Sequence, residues 1–434
     1  GENSDKPFVF PSTSLAWQFS QLDIFKESAI LSFGKLRASY AEVGVQPARY
    51  NTSNIFVSPS YSDSLGGSLN SGLFGNGSFV PSTNRGNVAL RPERKKEFEL
   101  GTDLRFFKNK LSIGFTYFGN TTEDVLLNFP VANSTGYSSI YTNGASIENK
   151  GIELDLGYKI FTTNEFSWSV NANFTAVKNE VTDLAGAESL NLGGLSAVSS
   201  RAVEGEALGV LWGSRTLRND DGSIVYDAYG FPEQDQLEGV IGDPNPDWQG
   251  GLSNTLKYKN FRLSVLVETY QGADIYAGTK SVMRDLGTWY DTGNQEIADR
   301  NYFESNGNII NIGETFRGNI ADFGAGPVAL TESWYNGEGG FFGGGNDELY
   351  IEDGSWTRIR EITLSYIWKS DWLKNATKLK SIEFSATGRN LVLWTNFEGN
   401  DPDTNLSGVS AARGIDYFNN PGTKSYLFSA TFNL

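Results

Sequence analysis

Two aromatic pairs, Trp289-Tyr290 and Trp334-Tyr335, stand beside Asp291, Glu332 and Asn336. Flat rings that stack on sugar faces, with acids and amides taking the hydroxyls, are the chemistry this grouping could perform. Packing inside a loop is the competing reading for each ring. Three acidic clusters, NDDGS (219–223), GDPNPD (242–247) and NDPDTN (400–405), offer the oxygen ligands that Ca²⁺ takes. Asp-Asp-Gly and Asp-Pro are also plain turn formers, and none of the three has the spacing of an EF-hand loop. The chain has no histidine and no cysteine. That removes the triads that use histidine as base, the usual zinc sites and any disulfide framework. A formal charge of −16 argues against nucleic acid as a partner. A solvated surface is the simple reading of that charge, and steering of cations or substrate the sharper one.

The elements that must position these groups alternate with a period of two. In FELGTDLRFFKNKLSIGFTYF (98–118), Phe98, Leu100, Leu104 and Phe106 share one side with Leu111, Ile113, Phe115 and Tyr117. Glu99, Asp103 and Arg105 fall on the other. Similar segments recur near 10–20 and 31–44, and around Ile152–Ile160, Phe166–Phe174, Leu252–Tyr258 and Phe261–Val267. Others follow at 356–368, Ile382–Ala386 and Tyr426–Leu434, which predicts about eleven strands and almost no helix. The phase is broken around Ile359 to Glu361, which predicts a bulge.

The greasy sides point toward lipid. Forty-nine glycines, 29 phenylalanines, 19 tyrosines and 10 tryptophans accompany only 39% hydrophobic residues, the balance expected when alternate strand residues face a bilayer. No apolar run is long enough for a membrane helix. The connections alternate short and long, with long ones at about 45–91, 185–247, 276–354 and 395–424 and a medium one at about 128–148. An up-and-down outer-membrane barrel sorts its loops this way, short turns in the periplasm and long loops outside. Trp17, Tyr40, Phe106, Tyr117, Tyr158 and Trp168 lie near strand ends, as interfacial girdles require. Glu99, Asp103, Arg105, Glu153 and Asp155 then face the lumen. The predicted fold class is all-β, a transmembrane antiparallel up-and-down β-barrel.

Single-chain bacterial barrels carry an even number of strands, and an open sheet in lipid leaves unpaired edges. The reading is therefore that residues 1–434 are the C-terminal part of one barrel of roughly 22 strands. The start GENSDKPFVF has no basic region and no apolar core, so it is not a signal peptide.

Several stretches resemble the SusC/RagA-like TonB-dependent outer-membrane transporters of Bacteroidota. They are FPSTSLAWQFS (10–20), LRASYAEVG (36–44), NVALRPERKKEFELGTDLRFF (87–107) and NKGIELDLGY (149–158). IGDPNPDWQGGLSNTLKYKNF (241–261), YIEDGSWTRIREITLSY (350–366) and GRNLVLWTNFEGNDPD (388–403) complete the set. The end, Phe432-Asn433-Leu434, departs from the aromatic finish common among outer-membrane strands. The resemblance implies a barrel plugged by an N-terminal domain, capped outside by a SusD-like lipoprotein and energised by TonB. It implies import of oligosaccharides or peptides into a bacterium through its outer membrane, without enzymatic activity. Trp289, Tyr290, Trp334 and Tyr335 are the candidate substrate-binding residues, and structural Ca²⁺ in the acidic outer loops is the one candidate cofactor. The alternatives are a barrel enzyme that works without histidine, which would turn over substrate unaided, and a structural or adhesive barrel.

Overall fold

The computed structural model describes residues 7–62, 68–70, 78–408 and 412–434. Part of the long connection expected at 45–91 lies outside the described residues. Eleven antiparallel strands form one sheet in sequence order. They are β1 (Ser12–Trp17), β2 (Leu31–Val45), β3 (Glu93–Phe106), β4 (Leu111–Pro130), β5 (Ser139–Thr162) and β6 (Phe166–Asp183). The order continues with β7 (Trp248–Tyr258), β8 (Phe261–Gln271), β9 (Trp356–Trp368), β10 (Ser381–Thr395) and β11 (Ser425–Asn433). A two-residue strand, Asn84–Arg85, adds to the far end of β5.

Register fixes which side chains share a face. Leu100 lies between Ala38 and Tyr117, and Leu263 between Leu256 and Leu364. On this face Leu36, Leu100, Tyr117, Leu156, Leu252, Leu364 and Phe428 all remain exposed. The opposite face is charged. Lys35 Nζ lies 2.7 Å from Asp103, Arg37 Nη2 donates to Thr116 Oγ1 at 2.6 Å, and Arg389 Nε donates to Glu361 at 2.9 Å. Arg105 lies over the Phe33 ring, 5.1 Å from its centre. A sheet that exposes its greasy side and pairs charges on the other is built for lipid outside and a polar lumen within.

The turn end is tight. Lys259 and Asn260 alone join β7 to β8, and Lys259 takes a left-handed φ of 52°. Phe107, Lys108 and Asn109 turn between β3 and β4 with φ of 53°, 56° and 63°. Rings gather here, with Phe161 stacked on Trp168 and Phe261 4.7 Å from Tyr366. The link between β9 and β10, predicted without helix, forms one at Asp371–Thr377 that is capped by Ser370, whose side chain accepts from Leu373 N. It brings Trp372 against Trp368 at 6.1 Å.

The expected medium loop at about 128–148 is instead mostly strand, because β4 and β5 pair as far as Pro130 and Ser139. The polar residues there suggested a loop, but no bilayer contact is needed where strands rise above the membrane. The register of β4 and β5 shifts around Ala145. There Val125, Ala145 and Val181 leave the wall pattern and enter an apolar cluster with Leu184, Leu190 and Ala202 from the next connection. The predicted bulge in β9 is present, with the register stepping between Ile359 and Glu361. The first strand is shorter than the expected 10–20.

The long connections fold into a roof with its own cores. Residues 184–247 contribute a four-stranded sheet (Ser189–Gly194, Ser199–Val203, Val210–Gly213 and Gly239–Gly242). Asp274–Ala277, Ile351–Asp353 and Ile415–Asp416 make a second sheet that joins two connections. Val198, Leu211, Tyr276, Tyr350 and Ile415 form a core drawn from three connections.

Candidate substrate site at the outer mouth of the lumen

Where the wall meets the roof, two motifs distant in sequence meet in space. β9 carries Trp356, Arg358 and Arg360 across its bulge, and the β10–β11 connection carries Asp401 and Asp403. Arg358 and Asp401 form an ion pair, with side chains only 4% and 7% exposed. Arg360 Nη2 donates to Asp403 at 3.1 Å, and its Nε donates to Glu268 on β8. Both guanidinium groups lie over the Trp356 ring, 5.1 and 5.4 Å from its centre. Tyr270 of β8 lies parallel to that ring, 6.0 Å away at 8°. The β10–β11 connection is thus fastened to the inner wall by two arginines held in a packed aromatic setting.

A second fastening runs along three strands. Asn179 Nδ2 donates to Asn149 Oδ1 at 2.5 Å, and Asn149 Nδ2 donates to Asn120 Oδ1 at 2.9 Å. The chain ends in the roof, where the Leu208 amide donates to Asn179 Oδ1 at 2.6 Å and Asn245 Nδ2 donates to the Leu208 carbonyl at 3.2 Å. Between these fastenings opens a cavity of 690 Å³, bordered by Asn179, Asn245, Gln249, Tyr270, Asp403 and Arg413 among others. A neighbouring cavity of 560 Å³ follows the wall past Asn173, Glu153 and Asp155, and shares Thr175, Gln249, Tyr270, Trp356 and Asp403 with the first. Volumes of this order accommodate small organic ligands or a few residues of a polymer.

The expected aromatic residues sit elsewhere. Trp334 and Tyr335 are 3% and 4% exposed and pack with Val328 and Leu330 of their own connection, the longest, and with Phe231 of the 184–247 connection. The Trp334 ring offers no open face here, the packing role that competed with sugar stacking. Tyr335 Oη accepts from Asn319 Nδ2 at 2.9 Å, and Tyr335 borders a separate cavity of 940 Å³. Tyr290 is 74% exposed, with Trp289 beside it at 5.7 Å between ring centres. Arg284 and Asn319 bridge the two pairs: Arg284 pairs with Asp291 and overlies Tyr335, while Asn319 Nδ2 also donates to the Asp291 carbonyl.

The acidic clusters are occupied by protein groups. Asp221 accepts from the Ser223 amide and hydroxyl, Asp243 from the Asn245 amide, and Asp401 and Asp403 pair with the two arginines. Among the described residues no group of three or more acids stands close enough to hold a metal ion. Gln249, Tyr270 and Trp356, which border the cavity, were not among the sequence candidates, and the run at 400–405 was open to a cation-site or a plain-turn reading. The broken period at 359–361 was the available signal, because bulges re-aim side chains.

The roof core buries two tyrosine side chains, Tyr276 and Tyr350. Burial, reinforced by the nearby Asp347 carboxylate, pushes the Tyr276 hydroxyl above the usual tyrosine range. Burial likewise raises Tyr350. Tyr276 Oη donates to Asp347 Oδ1 at 3.2 Å, and Ser214 Oγ donates to Asp347 Oδ2 at 2.7 Å. Groups whose folded values are raised stabilise fully below the unfolded value and lose that contribution as pH rises through the folded one. The roof should therefore loosen above about pH 10, where a freed tyrosine ionises. Protease sensitivity of the outer connections, followed against pH, measures this, and Tyr276→Phe should blunt the rise.

Residues 1–391 match the family model described as TonB dependent receptor-like, beta-barrel. The chain is 25% identical over 452 residues to TonB-dependent receptor P3 of Formosa agariphila, covering 98% of this chain and 41% of that protein. It is 24% identical over 430 residues to TonB-dependent receptor SusC of Bacteroides thetaiotaomicron, covering 93% and 38%. The chain thus spans about two fifths of the length of these relatives. The fold is that seen in the structure of the RagAB peptide transporter, with a TM-score of 0.68 at 19% identity over 98% of this chain and 43% of that one. The chain belongs to the TonB-dependent receptor-like β-barrel family, as its resemblance to the SusC/RagA-like members implied.

Proposed function

We propose that this chain is part of an outer-membrane, TonB-dependent importer of oligosaccharides or oligopeptides that works with a SusD-like surface lipoprotein. The observation that carries the reading is the pairing of a lipid-ready outer face with a folded roof over a polar cavity at the lumen mouth. Among the described residues β1 and β11 each pair on one side only, and unpaired strand edges are not tolerated in hydrocarbon. The N-terminal barrel half and plug of the same protein are the proposed partners that close the ring, with TonB supplying energy from the periplasm. The relatives named above, a SusC and a peptide transporter, support import over an enzymatic role.

The test is growth and uptake in a strain lacking the gene. Loss of uptake of an oligosaccharide or oligopeptide too large for porins, reproduced by collapsing the proton gradient, is expected. A SusD-like lipoprotein should co-purify with the protein. Unchanged uptake, or turnover of such a substrate by the purified barrel alone, overturns the reading.

A further inference from the structure

The turn end of the sheet is cationic in a chain whose formal charge is −16. Turn segments 107–111, 257–262 and 369–380 together hold nine lysines and arginines and one acid, Asp371. The other two turns are near balance, with Lys26 paired to Asp23 beside Glu27 in one and Lys159 against Glu165 in the other. Lys108, Lys259 and Lys378 take left-handed φ of 56°, 52° and 64°, and among the described residues every lysine with a positive φ lies at this end. Glycine or asparagine holds that conformation at lower cost, so the backbone gives no reason for a lysine at any of the three.

The cations are densest at the short helix between β9 and β10. Leu373 anchors it and is buried, while Trp372 is 66% exposed and stacks on Trp368. Trp368 continues the greasy face of Leu364 and Tyr366 and lies opposite Ile382, so the helix sits on the lipid side of the turn. Lys369, Lys374, Lys378 and Lys380 flank Trp372 in sequence and are exposed, and among the described residues none of their ammonium groups has an ion-pair or hydrogen-bond partner. Glu383, the nearest acid along β10, belongs to the lumen face with Ile367 and Thr431. The Ile367 amide donates to the Asn260 carbonyl at 2.9 Å, which ties this turn to the one between β7 and β8. There Lys259 Nζ lies 5.5 Å from the centre of the exposed Tyr258 ring and 3.7 Å from Glu165. A tryptophan beside lysines whose stems can lie along apolar surface is the grouping expected at headgroup level.

We infer that this helix, through Trp372, Lys369, Lys374, Lys378 and Lys380, docks on anionic phospholipid headgroups of the leaflet at the turn end, the periplasmic one in barrels of this kind. Ammonium groups near a negatively charged surface are drawn to its phosphates, and the tryptophan fixes their depth. The Trp372–Trp368 stack and the place of Lys259 over Tyr258 favour lipid over a soluble polyanion, because both set cations beside lipid-facing rings. The inference goes beyond import: it concerns how the barrel is seated, not what passes through it.

The experiment uses the complete protein purified in non-ionic detergent. Phosphatidylglycerol or phosphatidylcholine with the same acyl chains is titrated against it while native mass spectrometry counts bound lipid. Phosphatidylglycerol should bind at least about fivefold more tightly, the scale of one lysine near an anionic surface. Raising the salt should lower that ratio. Lys369→Gln, Lys374→Gln, Lys378→Gln and Lys380→Gln together should bring it close to one, and arginine at the same four positions should keep it. Heat-modifiable gel mobility reports whether each variant remains a folded barrel. Equal affinity for the two lipids overturns the inference. A preference that survives in the folded glutamine variant overturns the site assignment. Glycerol phosphate or soluble peptidoglycan fragments that compete on equal terms with the lipid would show a site for soluble anions and overturn the membrane assignment. Uptake in the deletion strain tests import separately.

Discussion

Replacing Leu100 by arginine should destabilise the folded barrel by about 2–4 kcal/mol, the cost of a cation on the lipid face near the bilayer midplane. Leu100 is mid-strand in β3, flanked by Ala38 and Tyr117, and 46% exposed. In water such a leucine would be unremarkable, and arginine there would be tolerated. The contrast is with Ser253 on β7, whose side chain belongs to the lumen face and borders a polar cavity with Asp103 and Asp155. Arginine at Ser253 should cost far less, because it finds acids and water. Unfolding of the complete protein in bilayers, monitored by tryptophan fluorescence, measures both. Equal costs at the two positions would show that the exposed greasy side is not the lipid face.

Arg358→Ala should cost about 3–5 kcal/mol and release the β10–β11 connection from the wall, since it leaves Asp401 charged and unpaired in a buried site. The pair itself need not be net stabilising, because desolvation offsets much of its attraction. Replacing both members, Arg358→Met with Asp401→Leu, should therefore recover much of the loss. Arg360→Ala should cost less, since that side chain is 29% exposed and Asp403 can reach water. Limited proteolysis of the connection separates these outcomes, with cleavage rising most in the Arg358→Ala variant. An unchanged cleavage pattern would place the fastening elsewhere.

The wall was legible in the sequence because its cause is local. A period of two in β5 and β6, and the glycine-free turns at Lys108-Asn109 and Lys259-Asn260, leave few alternatives once one face must be apolar. The bulge at 359–361 was visible as a slipped phase. The upper parts of β4 and β5 were not, since strands outside the membrane no longer need apolar residues on alternate positions. The roof was the least legible. Its cores join Leu211, Tyr276 and Ile415 from three connections, and no local pattern records that meeting. The site shows the same division. Asp401 and Asp403 were noticed as an acidic run, but their partners lie on β9, about forty residues earlier, and the spacing between the motifs carries no trace of the pairing. Trp334 and Tyr335 drew notice as an aromatic pair, yet Phe231 and Val328 decide that they are packed inward.

β5 runs for 24 residues, about 80 Å of extended chain at some 3.3 Å per residue, against an apolar band of roughly 25 Å. Even when tilted, such ribbons continue well past the headgroups as a rigid collar, locked by the same ladder that crosses the oil. The entrance is consequently held aloft at a height set by hydrogen bonds and not by the membrane. Swelling or thinning of the lipid would move the waterline along this collar without altering the shape of the doorway.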